Sequence, residues 1–327
     1  MEGTARARAV RPLVARRTPR SRSRLVSRCS LGSKERQMKD ANFPLDMEGR
    51  TFHLGSRKGE VSNRILSVGD AARAQLLSQF LKPFPNGDPV FNMVSSRGFS
   101  VTTGVVGDSD TTVSIVTTLM GLPNMDFVVR EARAVVDGPM AVVRLGTCGA
   151  LQPGTLGKIL VPAEGCVLVH RNPDAFIDSE GEGLSPYLIS RPVLPHPTLC
   201  DNLVSELQNT LPAGLDGLRC GINCTTDSFY SSQGRTSNAF DDRNENLVQQ
   251  VMEEIPNAVS FEMETFQLLH LASCSKGTIA AAACAIGLAE RANNEFMSPK
   301  QLVEMEEAAG KAAIDALVGF DLSKTEL

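Results

Sequence analysis

From residue 64 onward the chain alternates short β-branched and aliphatic runs with stretches whose apolar positions recur every three or four residues. The first pattern predicts strands at Ile65–Val68, Thr112–Thr117, Ala141–Leu145, Lys158–Pro162, Cys166–His170, Leu218–Cys224 and Thr278–Ile286. The second predicts helices over Ala71–Leu81, Asn124–Val136, Pro197–Leu211, Glu245–Ile255, Glu262–Cys274 and Ser298–Val318, with Asp126 placed to meet the positive end of the second. Such alternation is the pattern of an α/β fold, whose ligand crevice lies beyond the carboxyl ends of the strands. Three post-strand turns draw attention: Gly69-Asp70-Ala71-Ala72-Arg73, Gly146-Thr147-Cys148-Gly149 after Arg144-Leu145, and Cys224 to Tyr230. With no repeat and no Pro/Ser-rich linker after residue 40, the simplest division is a basic segment over 1–33, a linker over 34–50 and one domain over 51–327.

Composition changes that picture at the N-terminus. The 327 residues carry a net charge of −4, but residues 1–33 hold nine Arg and one acid, so the rest carries −12. So acidic a domain is a poor ligand for a phosphate backbone, and nucleic acid is not an expected partner. An Arg-rich, Ser-containing, acid-poor start without an apolar core matches an organellar transit peptide, and Val26-Ser27-Arg28-Cys29-Ser30 is closer to a plastid cleavage region than to a mitochondrial one. The alternative is a cytoplasmic protein with a basic tail, or one starting at Met38. Eight Cys without C-x-x-C or His pairs at ligand spacing argue for free thiols and no metal site. The 13-residue charge-free run Gly277–Ala289 is short of the roughly 20 residues a membrane helix requires, so no membrane association is expected.

The first two turns hold the parts of an oxyanion site: glycine lets backbone N–H groups approach, a helix start adds positive potential, and Arg73 and Arg144 add donors. Either turn alone is equally a tight bend beside a solvated arginine. Neither the P-loop nor the dinucleotide glycine pattern is present. The third turn runs into Phe229-Tyr230-Ser231-Ser232-Gln233-Gly234-Arg235, an aromatic face, an amide and a guanidinium within seven residues. Together they match a ring edge bearing C=O and N–H groups. Glu262 and Glu264 can accept from vicinal sugar hydroxyls, or simply complement the start of a helix.

Taken together, these motifs resemble the nucleoside phosphorylases of the uridine phosphorylase type over about His53 to Val318. The resemblance rests on Phe52-His53-Leu54-Gly55, Gly69-Asp70-x-x-Arg73, Ser96-Arg97, Arg144-x-Gly146-Thr147-x-Gly149, Asp227-x-Phe229-Tyr230-x-x-Gln233-Gly234-Arg235, Glu262-Met263-Glu264 and Arg291 after the last strand. It implies a single-domain three-layer α/β fold with a central mixed, partly barrel-like sheet flanked by helices. It further implies that Gly69, Arg73, Arg144 and Thr147 hold phosphate, with Arg97 reaching in from a neighbouring subunit. Met263 and Glu264 would bind the ribose 2′- and 3′-hydroxyls and the neighbour's His53 the 5′-hydroxyl, while Phe229, Gln233, Arg235 and Arg291 would surround the base.

The activity so implied is phosphorolysis of a pyrimidine nucleoside in salvage or catabolism. No cofactor is needed, inorganic phosphate being the co-substrate, and the sites are shared in a homodimer or hexamer. Purine-type relatives carry an Asp after the last strand, where this chain has Arg291. Ala71 replaces a customary Pro, Thr118-Leu119-Met120-Gly121-Leu122-Pro123-Asn124 lacks one customary Gly and a Ser, and Gly98 stands where bacterial relatives place an acid of a monovalent-cation site. A purine phosphorylase or nucleosidase, and a non-catalytic storage or nucleoside-binding protein of the same fold, are the alternatives.

Overall fold

The strand at the centre of the molecule, β6 (Met140–Ala150), is paired on one edge along its length and on the other over 141–145 and 149–150, and organises the rest. A computed structural model describes residues 37–107, 110–177, 183–211 and 217–325. The chain divides into two units, Met1–Lys34 and Glu35–Leu327, and the basic stretch expected to direct transit lies outside the described residues. In the second unit β6 runs parallel to β1 (Arg64–Val68), which is parallel to β5 (Thr112–Thr117). Antiparallel to β5 follows β4 (Ser100–Val106), which carries β2 (Leu81–Lys82) and β3 (Phe91–Val94). On its other side β6 pairs with β11 (Ile279–Glu290), then come β7 (Ile159–Arg171), β9 (Leu218–Thr226) and β10 (Ala258–Glu262), and β10 pairs back with β6. These five strands close into a small barrel within a mixed sheet, and β8 (Tyr187–Ile189) and β12 (Glu295–Phe296) are short additions to β7 and β11.

Side-chain alternation makes the layers. Leu66, Val68, Ala141, Val143, Leu145, Ala280, Ala282 and Cys284 face α1 (Ala71–Leu77), α3 (Pro197–Thr210) and α6 (Pro299–Gly319). Their neighbours in sequence, Ile65, Met140, Val142, Ile279 and Ala281, face α2 (Leu122–Val135) and α5 (Thr265–Ser273). Both faces of the central strands are therefore covered, which is why they read as unbroken apolar runs. A smaller core under α4 (Leu247–Glu254) packs Leu247 and Val251 against Val167, Val169 and Phe261.

Several sequence expectations are corrected. Gly146 to Gly149 form no turn: they continue β6, because β11 and β10 supply the backbone partners that a turn would leave to water. Lys158–Pro162 and Cys166–His170 belong to one bulged strand, with Gly165 at φ +116° beside the Val193 carbonyl. The first helix stops at Leu77, where a 3-10 turn leads Leu81 into the sheet edge. Glu262 ends β10 instead of opening a helix, and α5 starts only at Thr265. The strands β3, β4 and β10 were not expected; β4 is buried throughout, yet its Ser and Thr residues hide an apolar run. Residues 37–50, read as a linker, are tied down: the Asp46 carboxylate caps the N–H groups of Glu48 and Arg50, and Arg50 pairs with Glu60 at 2.7 Å.

Candidate active site

Beyond the end of β1, Asp70 caps α1 by accepting from the Arg73 N–H at 2.9 Å, so the guanidinium one turn along returns towards the strand ends. There Arg73 is buried and its Nε lies 2.8 Å from Glu306 of α6, while Nη1 donates to the Leu145 carbonyl at 3.3 Å. A side-chain carbon on Gly69 would sit 3.8 Å from Arg73 Nη1, so the glycine and the arginine of this turn adjoin one another.

Arg144, on β6, is equally buried, and Gly146 makes room for it: a Cβ at 146 would stand 3.0 Å from its Nη2. Its Nε donates to Glu262 at 3.3 Å and its Nη2 pairs with Glu264. Nη1 is buried with no hydrogen-bond partner among the described residues. An orphaned guanidinium donor is costly unless an acceptor arrives, and an oxyanion is the acceptor that suits it. Thr147, half-buried, is the third residue on from Arg144 and pairs in register with Ile286.

The two acids beside Arg144 differ in kind. Burial alone would raise Glu262, but Arg144, the Thr225 hydroxyl and the Asn223 amide at 2.8 Å overcome it and hold its carboxyl below the usual range. It also accepts from the N–H groups of Glu264 and Thr265, both at 2.9 Å, so it anchors the start of α5. For Glu264 burial prevails over Arg144, and the Glu262 charge adds to it, so its carboxyl is held above the usual range. Its Oε1 accepts the Gly121 N–H at 2.5 Å. The acid at the N-terminus of α2 is thus Glu264 from a distant segment, whereas Asp126 pairs with Arg130 at 3.0 Å. Gly121 lies in the altered stretch, where Leu119 takes a left-handed backbone, φ +56°, a strain of about 1 kcal/mol, beside Thr118, which makes two bonds to the Val68 carbonyl.

The third turn joins this floor through Thr226, whose hydroxyl donates to the Glu262 carbonyl at 3.2 Å. Gln233 is buried, its Nε2 donating to Thr226 Oγ1 at 2.9 Å and its Oε1 accepting from Arg235. The Arg235 guanidinium lies 3.8 Å from the centre of the Phe229 ring, itself 48% exposed. Burial, with the nearby Arg291 charge, pushes the Arg235 pKa down to about 10. Arg291 passes over Gly149, where a Cβ would be 3.5 Å from its Cγ, and donates to the Gln233 carbonyl at 3.0 Å. Met263, half-buried, sits between the two acids.

The remaining two expected residues form their own cluster. Arg97, exposed at the β3–β4 hairpin, stands 5.3 Å over the Phe52 ring, and Phe52 meets His53 edge-on at 4.9 Å. His53 stacks on Phe127 at 3.8 Å and its Nδ1 is 2.7 Å from Glu131, which also takes the His53 and Leu54 N–H groups. Sequence reasoning missed Glu306, Glu131, Asn223 and Thr226. The first two do carry a signal: each acid falls on the buried face of its helix, among Ala309 and Ala313 or Val128 and Val135, where a charge requires a partner.

Residues 63–319 match the model of the phosphorylase superfamily. The chain belongs to the phosphorylase superfamily. Among its relatives, a uridine phosphorylase of Thermococcus kodakarensis is 27% identical over 260 residues, 78% of this chain and 83% of that protein. A purine nucleoside phosphorylase of the DeoD type from Oceanobacillus iheyensis is 29% identical over 191 residues, 58% of this chain and 71% of that one. A solved structure from a study of two uridine phosphorylases of the oomycete Phytophthora capsici superposes with TM-score 0.81 at 39% identity, covering 87% of this chain and all of that one. For this phosphorylase-superfamily member, the matched segment includes every expected site residue except His53.

Proposed function

We propose that the chain cleaves uridine with inorganic phosphate to uracil and ribose 1-phosphate. One observation carries the choice of base. Along Gln233 and Arg235 the groups run Nε2–H, Oε1, guanidinium N–H, that is donor, acceptor, donor. The uracil edge C2=O, N3–H, C4=O is the complementary acceptor, donor, acceptor, whereas cytosine offers acceptor, acceptor, donor. Arg291 stands beside the same loop, where a purine-specific site would want a carboxylic acid to protonate a ring nitrogen.

In this reading phosphate is held by the Gly69 N–H, Arg73, Arg144 and Thr147, and the buried Arg144 Nη1 gains its acceptor. One phosphate oxygen attacks C1′ as the C1′–N1 bond breaks. The bond pair passes into the uracil ring, where Gln233 and Arg235 stabilise the charge on the carbonyl oxygens and Phe229 covers the ring face, and N1 then takes a proton from solvent. Glu264 and the backbone at Met263 accept from the ribose hydroxyls.

The floor has two guanidinium groups against the carboxylates of Glu262, Glu264 and Glu306, so alone it is a poor site for a dianion. Arg97 from a second copy supplies the missing charge, and His53, in the same cluster, accompanies it to the ribose 5′-hydroxyl. The functional unit is then at least a homodimer.

Uracil release from uridine, measured with and without phosphate and beside inosine, tests the reaction. Phosphate-dependent release from uridine alone is expected, equal release without phosphate would mean hydrolysis, and preference for inosine would mean a purine enzyme. Sharing is tested by co-expressing inactive Arg97→Ala and Glu264→Ala chains: recovery of part of the activity is expected, and no recovery in verified mixed oligomers removes Arg97 and His53 from the site.

A further inference from the structure

An amide side chain can present either end to a base, so the donor–acceptor–donor order depends on what fixes the polarity of Gln233. Two contacts bear on it. Arg235 has donors only and therefore demands Oε1 on its side, but it is half-buried, rests on an exposed ring, and must share its N–H groups with a base carbonyl when one is present. Thr226 is different: it is wholly buried at the end of β9, and its hydroxyl donates to the Glu262 carbonyl at 3.2 Å. With its single proton committed to that carbonyl, Thr226 Oγ1 can only accept, and it accepts Gln233 Nε2 at 2.9 Å. A reversed amide would set Oε1 against an oxygen with no proton to give it, and Nε2 against a guanidinium. The Gln233 backbone cannot turn away to escape this. Its carbonyl is held by Arg291, the next residue is Gly234 at φ +64°, where an added Cβ would stand 2.8 Å from Val248, and Asn244 Nδ2 donates to the carbonyls on both sides of the loop, Ser231 and Arg235.

We propose that Thr226 is the positioning residue that sets the polarity of Gln233, and hence the preference for a 2,4-dione pyrimidine edge, by a directed chain running from Arg235 N–H to Gln233 Oε1 and from Gln233 Nε2–H through the Thr226 hydroxyl to the Glu262 carbonyl. This rests on the uridine reading. Thr226 touches no substrate: each end of the amide keeps a second valence, one N–H and one lone pair, for the base.

The test is a double-substitution cycle on the full chain. Thr226→Val keeps the shape and removes the hydroxyl, and should lower kcat/KM for uridine about tenfold. Thr226→Ser keeps the hydroxyl and should restore it to within about threefold. In a Gln233→Leu background, where there is no amide to orient, Thr226→Val should add less than a factor of about two. Equal losses in both backgrounds, or an undiminished rate in Thr226→Val, would overturn the proposal while wild-type uridine activity leaves the parent reading intact. A wild type inert towards uridine and phosphate overturns both. Should the valine chain not fold, Thr226→Ala takes its place in the cycle. Independently of any variant, a crystal structure of the wild type with uracil is expected to keep Gln233 Nε2 on Thr226, and an amide turned away from Thr226 would refute the idea.

Discussion

Under the proposed reading, the floor of the site and the loop joined to it solve the same problem, holding donors for an anion, in opposite ways. In the floor Arg73 and Arg144 are buried, each locked to carboxylates from elements far away in sequence, Glu306 of α6 and Glu262 and Glu264 at the end of β10. In the loop Arg235 lies on a half-exposed phenylalanine within six residues of itself, next to an exposed Tyr230. The floor's donors are inseparable from the core, because a guanidinium or carboxylate left alone there is an uncompensated buried charge. Arg235's own partners are all local, Phe229 and Gln233, so this donor can change without disturbing the barrel. Chemistry common to a superfamily can rest on the first kind of construction, and choice of base on the second.

Removing Arg144 should separate the two most sharply. Arg144→Ala leaves Glu262 and Glu264 buried without their shared partner, and is expected to cost about 3–5 kcal/mol of stability, together with loss of phosphorolysis by more than about a thousandfold. Thermal unfolding alongside uracil release measures both, and an active, fully stable Arg144→Ala chain would show that the floor is not the interlocked unit described.

Arg235→Ala should lower kcat/KM for uridine by about 10²–10³-fold, the scale of deleting one donor to a developing oxyanion, while Tm stays within a few degrees. A collapse in Tm instead would mean that the loop is as structural as the floor.

The smallest effect, and the finest cut, divides the floor itself. Glu262 is held below the usual carboxylate range, so its ionised form contributes stability that is present above about pH 4 and lost as pH falls through its lowered native value. Glu264 is held above that range, so it has the opposite sign, favouring the fold when protonated and weakening it as pH rises through its raised value. Glu262→Gln should therefore lower Tm at neutral pH by an amount that shrinks below about pH 4, whereas Glu264→Gln should leave Tm nearly unchanged at neutral pH while raising KM for uridine. Melting curves of both variants from pH 3 to about 8 check the sign, and parallel behaviour would erase the distinction between anchor and ligand.

Much of this was legible beforehand. Periodicity located β1, β5, β9, β11 and the longer helices within a few residues, since each is apolar along a single repeat. The resemblance to the nucleoside phosphorylases singled out Gly69, Arg73, Arg144, Gln233, Arg235 and Glu264. Local pattern misjudged Gly146–Gly149 and Glu262, where glycine and acid suggested a turn and a helix start, because local propensity cannot see that β10 and β11 close on β6 from either side. Likewise β4 stayed hidden, its buried Thr103 satisfied by the Glu60 carbonyl and by Ser114 across the sheet.

What the sequence determined by itself was the class of fold and the kinds of group available, for these follow from patterns a few residues long. Only the tertiary structure decided which charges share a pocket: that Glu306 holds Arg73, that Glu264 rather than Asp126 meets the start of α2, that Arg97 and His53 both pack on Phe52, and that Thr226 ends the chain of bonds through Gln233. The partners of a buried charge are fixed by desolvation, which acts on whichever groups the closed barrel and its covering helices bring within reach, however far apart they lie along the chain.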